Sequence, residues 1–185
     1  MRPLLLFLLF TTKIYSQDFL LVDSMMRPAL NLDGYRDTKV NFKFPELKSI
    51  DGKIYTTDSL TNKITFINFW FEGCPPCIAE FDALNDLYQK YGSHKDFQFL
   101  SFTFETKEDA LRISEKHHLN FPIICVEKEN IHKLIFNLGF PTTMVINRQG
   151  QITFIICGGF AEKEKAKEMV DTIYAKEIDR QLFTN

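Results

Sequence analysis

The stretch Asn68-Phe69-Trp70-Phe71-Glu72-Gly73-Cys74-Pro75-Pro76-Cys77-Ile78-Ala79-Glu80 decides how this chain of 185 residues is read. Its front half closes the run 64–71, which is apolar except at Thr65 and Asn68, too continuous for a surface strand and suited to one buried on both faces. Its back half opens a helix, because Ile78, Phe81, Leu84, Leu87, Tyr88 and Tyr91 recur at helical spacing as far as Gly92. Pro75 and Pro76 fall in the first turn, where a missing N–H does no harm. Two cysteines therefore sit three residues apart at the junction of a buried strand and a helix.

That junction has chemical consequences. The start of a helix presents unpaired N–H groups and about half a positive charge, which favour a thiolate over a thiol. Such settings lower a cysteine pKa from about 8.5 into the range of roughly 3.5 to 7.5. Cys74 is expected to be the outer, attacking sulfur, and Cys77, deeper in the helix, the one that resolves a mixed disulfide. A structural zinc site needs four ligands, yet Cys125 and Cys157 are isolated from each other and from any histidine pair at ligand spacing, so no metal is expected. A purely structural bridge across so short a loop would close little chain and stabilise weakly.

Outward from the junction, strands and helices alternate. Upstream, Phe44-Pro45-Glu46-Leu47 and residues 49–54 read as a short hairpin turning at Asp51-Gly52. Downstream, 97–104 is a second buried strand, 108–118 a helix that stops before Pro122, 123–126 a short strand and 131–138 a helix. Residues 143–147 and 152–157 form a hairpin across Arg148-Gln149-Gly150, and Ala166, Met169, Val170 and Ile173 mark a last amphipathic helix. The alternation predicts an α/β layered domain with a mixed sheet. Cys125 and Cys157 each end a short apolar strand and read as buried free thiols, with a second disulfide as the open alternative.

Composition sets the outer limits. With 45% hydrophobic and 14% aromatic residues the chain can bury one core. A formal net charge of −2 without a Lys/Arg block points away from nucleic acid and from anionic membrane surfaces. Met1 and Arg2, the apolar run 4–10 and the polar residues 11–16 have the layout of a secretory signal peptide, with Ser16 the last residue removed. The apolar run is seven residues long, against the ~20 a membrane-spanning helix needs; an uncleaved anchor is the competing reading. Removal of 1–16 leaves 20 basic against 24 acidic residues, a net charge of −4. The expected organisation is a signal peptide at 1–16, an extension at 17–41 and one folded domain at 42–185.

The quoted stretch resembles the active-site segment of the TlpA/ResA-like extracytoplasmic thioredoxins, within the thioredoxin superfamily, and the likeness runs from about Phe42 to the C-terminus. It implies a thioredoxin-like fold: a mixed central sheet flanked by helices, with an N-terminal β-hairpin and an inserted helix–strand element between Lys107 and Val126. It also implies an exported, periplasmic thiol–disulfide oxidoreductase that needs no cofactor. Such a protein would act as a monomer on protein dithiol or disulfide clients and draw electrons from a membrane donor. Pro141, in Gly139-Phe140-Pro141-Thr142-Thr143, matches the cis-proline that faces the dithiol; Phe140 would pair its backbone with an incoming peptide, and Trp70 is set with them on the client side. Glu80 matches the acid that takes up or returns a proton beside the dithiol.

Departures from the family pattern bear on the site. Gly73 replaces a frequent Trp, and Glu72 brings a negative charge that would oppose thiolate formation if it points inward. Asn68 stands where cytosolic thioredoxins keep a buried Asp, which leaves Glu80 as the proton acceptor. Two other functions compete. In a thiol peroxidase the reactive cysteine follows a Thr by three positions, where this chain has Phe71; in a binding module the cysteines would be idle.

Overall fold

The computed structural model describes residues 35–183. In chain order these form β1 (Tyr35–Asn41), β2 (Leu47–Lys48), β3 (Ile54–Tyr55), β4 (Ile64–Trp70), α1 (Pro75–Tyr91), β5 (Phe97–Thr103) and α2 (Lys107–Lys116). There follow β6 (Ile123–Cys125), α3 (Lys128–Leu134), β7 (Thr142–Ile146), β8 (Gln151–Cys157), α4 (Lys163–Met169), a π-helical turn (Val170–Tyr174) and α5 (Ala175–Phe183). The main sheet has the order β1-β8-β7-β4-β5-β6, and β2 pairs with β3 as a separate hairpin. Strand β4 runs parallel to β5 and antiparallel to β7, which is the mixed sheet expected of a thioredoxin-like domain.

Every residue of β4 is buried, because both faces of the sheet are covered. Alternate residues divide between two cores. Ile64, Phe66 and Trp70 pack with α1, α2 and the C-terminal helices. Ile67 and Phe69 pack with Phe42, Phe44, Tyr55, Leu60 and Ile131 on the other side. The hairpin turns as anticipated, with Gly52 in the left-handed region at φ +95°, a conformation that costs a residue without Cβ least.

Three expectations need correction. Residues 35–41 are not an extension: β1 pairs antiparallel with the outer edge of β8, and Thr38 Oγ1 donates to the Ile152 carbonyl at 2.7 Å. The strand is hard to read because it is bulged between Arg36 and Val40, with Asp37 and Lys39 at positive φ, and only Val40 is fully buried. The helix expected at 131–138 is α3, ended early by the left-handed residues Phe136 and Asn137. The last helix runs on to Phe183 through the π-helical turn. The signal-peptide reading of 1–16 and residues 17–34 of the proposed extension lie outside the described residues. No helix among the described residues is long and apolar enough to cross a membrane.

Candidate active site

The C-terminal end of β4 delivers the chain to the start of α1, and the two cysteines meet there as a disulfide with Cα atoms 5.3 Å apart. Cys74 is the N-cap residue: its backbone is extended and its Sγ accepts from the Cys77 N–H at 3.3 Å. Pro75 occupies the first helical position, as the sequence requires. In this oxidised state both sulfur-bearing residues are nearly covered, Cys74 4% exposed and Cys77 1%.

Glu80 lies one helical turn beyond Cys77, on the same side of α1, and is fully buried rather than a solvated surface acid. Tyr174 donates its hydroxyl to Glu80 Oε1 at 3.1 Å, and Asn68 Nδ2 stands 3.5 Å from Oε2. Asn68 also donates to Thr143 Oγ1 at 3.1 Å, the two residues being cross-strand partners in the β4–β7 ladder. Burial pushes the Glu80 carboxyl up to about 8, against which the bonds from Tyr174 and Asn68 pull it partly back. Near neutral pH the group therefore exchanges its proton readily.

The Phe140–Pro141 peptide is cis, at the head of β7. A Cβ built on Gly159 would lie 2.9 Å from Glu80 Oε1, 3.1 Å from Pro141 Cγ and 3.5 Å from Pro76 Cβ. Those approaches bring the cysteine loop, the proline loop, the acid and the chain leaving β8 together at one point. Half-buried Phe140 packs edge-on against Phe71 at 5.2 Å and Phe104 at 5.6 Å, forming an aromatic rim.

Trp70 does not belong to that rim. It is fully buried, donates its indole N–H to Ser101 Oγ at 2.6 Å and packs edge-on against Phe81, because its place in β4 turns it into the helix-covered core. Glu72 is also turned away from the sulfurs. Arg112 of α2 clasps it through two bonds of 2.8 Å and holds its carboxyl below the usual range, so its charge is balanced at the surface. Cys125 and Cys157 are unpaired and half-buried. Tyr174 and Thr143 carry no local sequence signal for the site, and Gly159 carries one. The pair Gly158-Gly159 just after a buried strand was the available signal, since glycine there marks a close backbone approach.

Comparison with known proteins agrees with this architecture. Residues 37–155 match the AhpC/TSA family. The thiol-disulfide oxidoreductase ResA of Halalkalibacterium halodurans is 28% identical over 118 residues, 63% of this chain and 66% of that protein. The thioredoxin-like protein YneN of Bacillus subtilis is 27% identical over 125 residues, 66% of this chain and 73% of that one. Among solved structures, a thioredoxin-family thiol:disulfide interchange protein from Chlorobium tepidum superposes with a TM-score of 0.56 at 22% identity, over 72% of this chain and 96% of its own. A secreted thiol-disulfide isomerase from Corynebacterium glutamicum gives 0.59 at 16% identity, over 78% and 90%. With a thioredoxin-like sheet, a Cys-Pro-Pro-Cys pair at the mouth of α1 and these relatives, the chain belongs to the AhpC/TSA family and is a TlpA/ResA-like oxidoreductase of the thioredoxin superfamily.

Proposed function

We propose that this oxidoreductase is exported and reduces disulfides of protein clients through Cys74 and Cys77. In the reduced enzyme the Cys74 thiolate attacks one sulfur of a client disulfide, forming a mixed disulfide and releasing the client's other sulfur as a thiolate that takes a proton. Cys77 gives its proton to the Glu80 carboxylate and attacks Cys74. The Cys74–Cys77 bond forms, the client's second sulfur leaves as a thiolate, and two electrons have passed to the client. A membrane-bound dithiol donor then reduces the pair again, and Glu80 returns the proton. Phe140 and Pro141 receive the client backbone beside the aromatic rim.

The observation that carries this reading is a disulfide capping a helix N-terminus with a buried acid one turn below it. Export rests on the leading residues 1–16. With insulin and dithiothreitol, the wild type is expected to accelerate precipitation and Cys74→Ala to leave it at the background rate. A variant as active as the wild type overturns the assignment. The reducing direction further predicts a potential for the pair nearer about −270 mV than about −120 mV, measured against a glutathione or dithiothreitol couple.

A further inference from the structure

Hydrogen bonds link Thr143, Asn68, Glu80 and Tyr174 in a row under the disulfide, and the last of them arrives from the far end of the chain. Asn68, Glu80, Thr143 and Tyr174 are all buried, and Asn68 Oδ1 is left without a partner among the described residues. Tyr174 ends the π-helical turn, where the Ala175 N–H reaches back to the Val170 carbonyl instead of to residue 171. Such wide turns gather at functional sites. Here the turn has a geometric effect. Ala166, Val170, Tyr174, Ile178 and Leu182 are buried at every fourth position, a spacing that precesses by about 160° over its length on an ideal α-helix. One wide turn takes back roughly the angle of one residue, about 100°. The stripe therefore keeps to the core, and the Tyr174 hydroxyl arrives at Glu80.

We infer that Tyr174, carried in by this turn, is the positioning residue that holds the Glu80 carboxyl in place for proton exchange with Cys77. The inference rests on the proton-transfer role proposed for Glu80. A buried carboxyl without a fixed donor would be free to change rotamer and would resist ionisation more strongly. The Tyr174 bond fixes one oxygen and stabilises the ionised form. The titratable groups around it are few. Tyr174 comes from the C-terminal helix, Cys157 at the end of β8 acts on Tyr174 only through its charge, and the Cys74–Cys77 pair stands at the start of α1. Strands β4 and β7 supply neutral Asn68 and Thr143, and among the described residues no lysine, arginine or histidine bonds to Glu80 or Tyr174.

The test follows the rate of mixed-disulfide resolution against pH, using full-length protein and a chromogenic aryl disulfide in single turnovers. The wild type is expected to show a limb rising through about pH 8 as Glu80 ionises. Tyr174→Phe should move that limb to higher pH by about one unit, a roughly tenfold slower resolution near pH 7. Glu80→Gln should abolish it, and the double variant should match Glu80→Gln alone. A fluorotyrosine placed at position 174, a stronger donor of nearly the same shape, should move the limb to lower pH and keeps the test available if Tyr174→Phe does not fold. If Glu80→Gln loses the limb but neither change at 174 moves it, the positioning role is overturned and the acid role stands. If Glu80→Gln keeps the limb, the acid role fails and the inference falls with it.

Discussion

Gly159 shows how tightly the residues under the disulfide are fitted. Any Cβ there would come within 2.9 Å of the Glu80 carboxyl and 3.1 Å of the Pro141 ring. A flexible surface acid would swing aside, but Glu80 is fully buried and tied to Tyr174, so it has no free direction in which to yield. Gly159→Ala is expected to break the Tyr174 bond or push the proline loop outward, with a loss of about 1–3 kcal/mol of stability and a slower insulin reduction. Denaturant midpoints and the precipitation assay check both effects, and a variant with wild-type values in each would contradict the fit. At this scale the sequence was only half legible. Cys74 and Cys77 announce themselves by local spacing, whereas the bond between Tyr174 and Glu80 spans 94 positions and no local pattern encodes it. Trp70 misled for the opposite reason, since an aromatic beside the motif looks like a rim residue until the strand's alternation assigns it a face.

Elements act on the site through their ends and contacts. Helix α2, begun by Thr106 accepting from the Asp109 N–H at 3.1 Å, carries Arg112 across to Glu72 in the loop between β4 and Cys74. That clasp keeps an acidic side chain from adding its charge to the helix start. Removing the guanidinium in Arg112→Ala leaves Glu72 unbalanced two residues from Cys74 and should raise the thiol's pKa in the reduced protein. Because the groups are exposed, the effect is modest and screened by salt: alkylation of Cys74 near pH 6 should slow by about twofold to threefold at low ionic strength. Arg112→Ala combined with Glu72→Gln should recover the rate. Equal rates at low and high salt would show that the pair has no influence on the sulfur. The elements themselves were legible where apolar periodicity is unbroken, as in β4, α1 and β5. Strand β1 escaped notice because a bulged edge strand buries too few side chains to leave a period-2 trace.

For the whole molecule, the buried Glu80 carboxyl is a burden on the fold, and pH reveals it. The Glu80 carboxyl titrates near 8 in the folded protein against an ordinary value of 4.5, a shift caused first by burial. Between those two values the folded state holds a proton that the unfolded chain has released, so stability is complete below about pH 4.5 and declines as the pH rises towards 8. The full difference is on the order of 5 kcal/mol, a large share of the stability of an ordinary domain. Glu80→Gln keeps the shape and an acceptor for the Tyr174 hydroxyl but has no proton to lose. The variant should melt at nearly the wild-type temperature at pH 4.5 and higher than it at pH 9, by on the order of 10 °C for a domain of this size. Comparing the variant with the wild type at each pH cancels every other titrating group common to both. A melting gap of the same size at both pH values would mean that burial of the carboxyl does not burden the folded state, and the proton would then have to be held elsewhere.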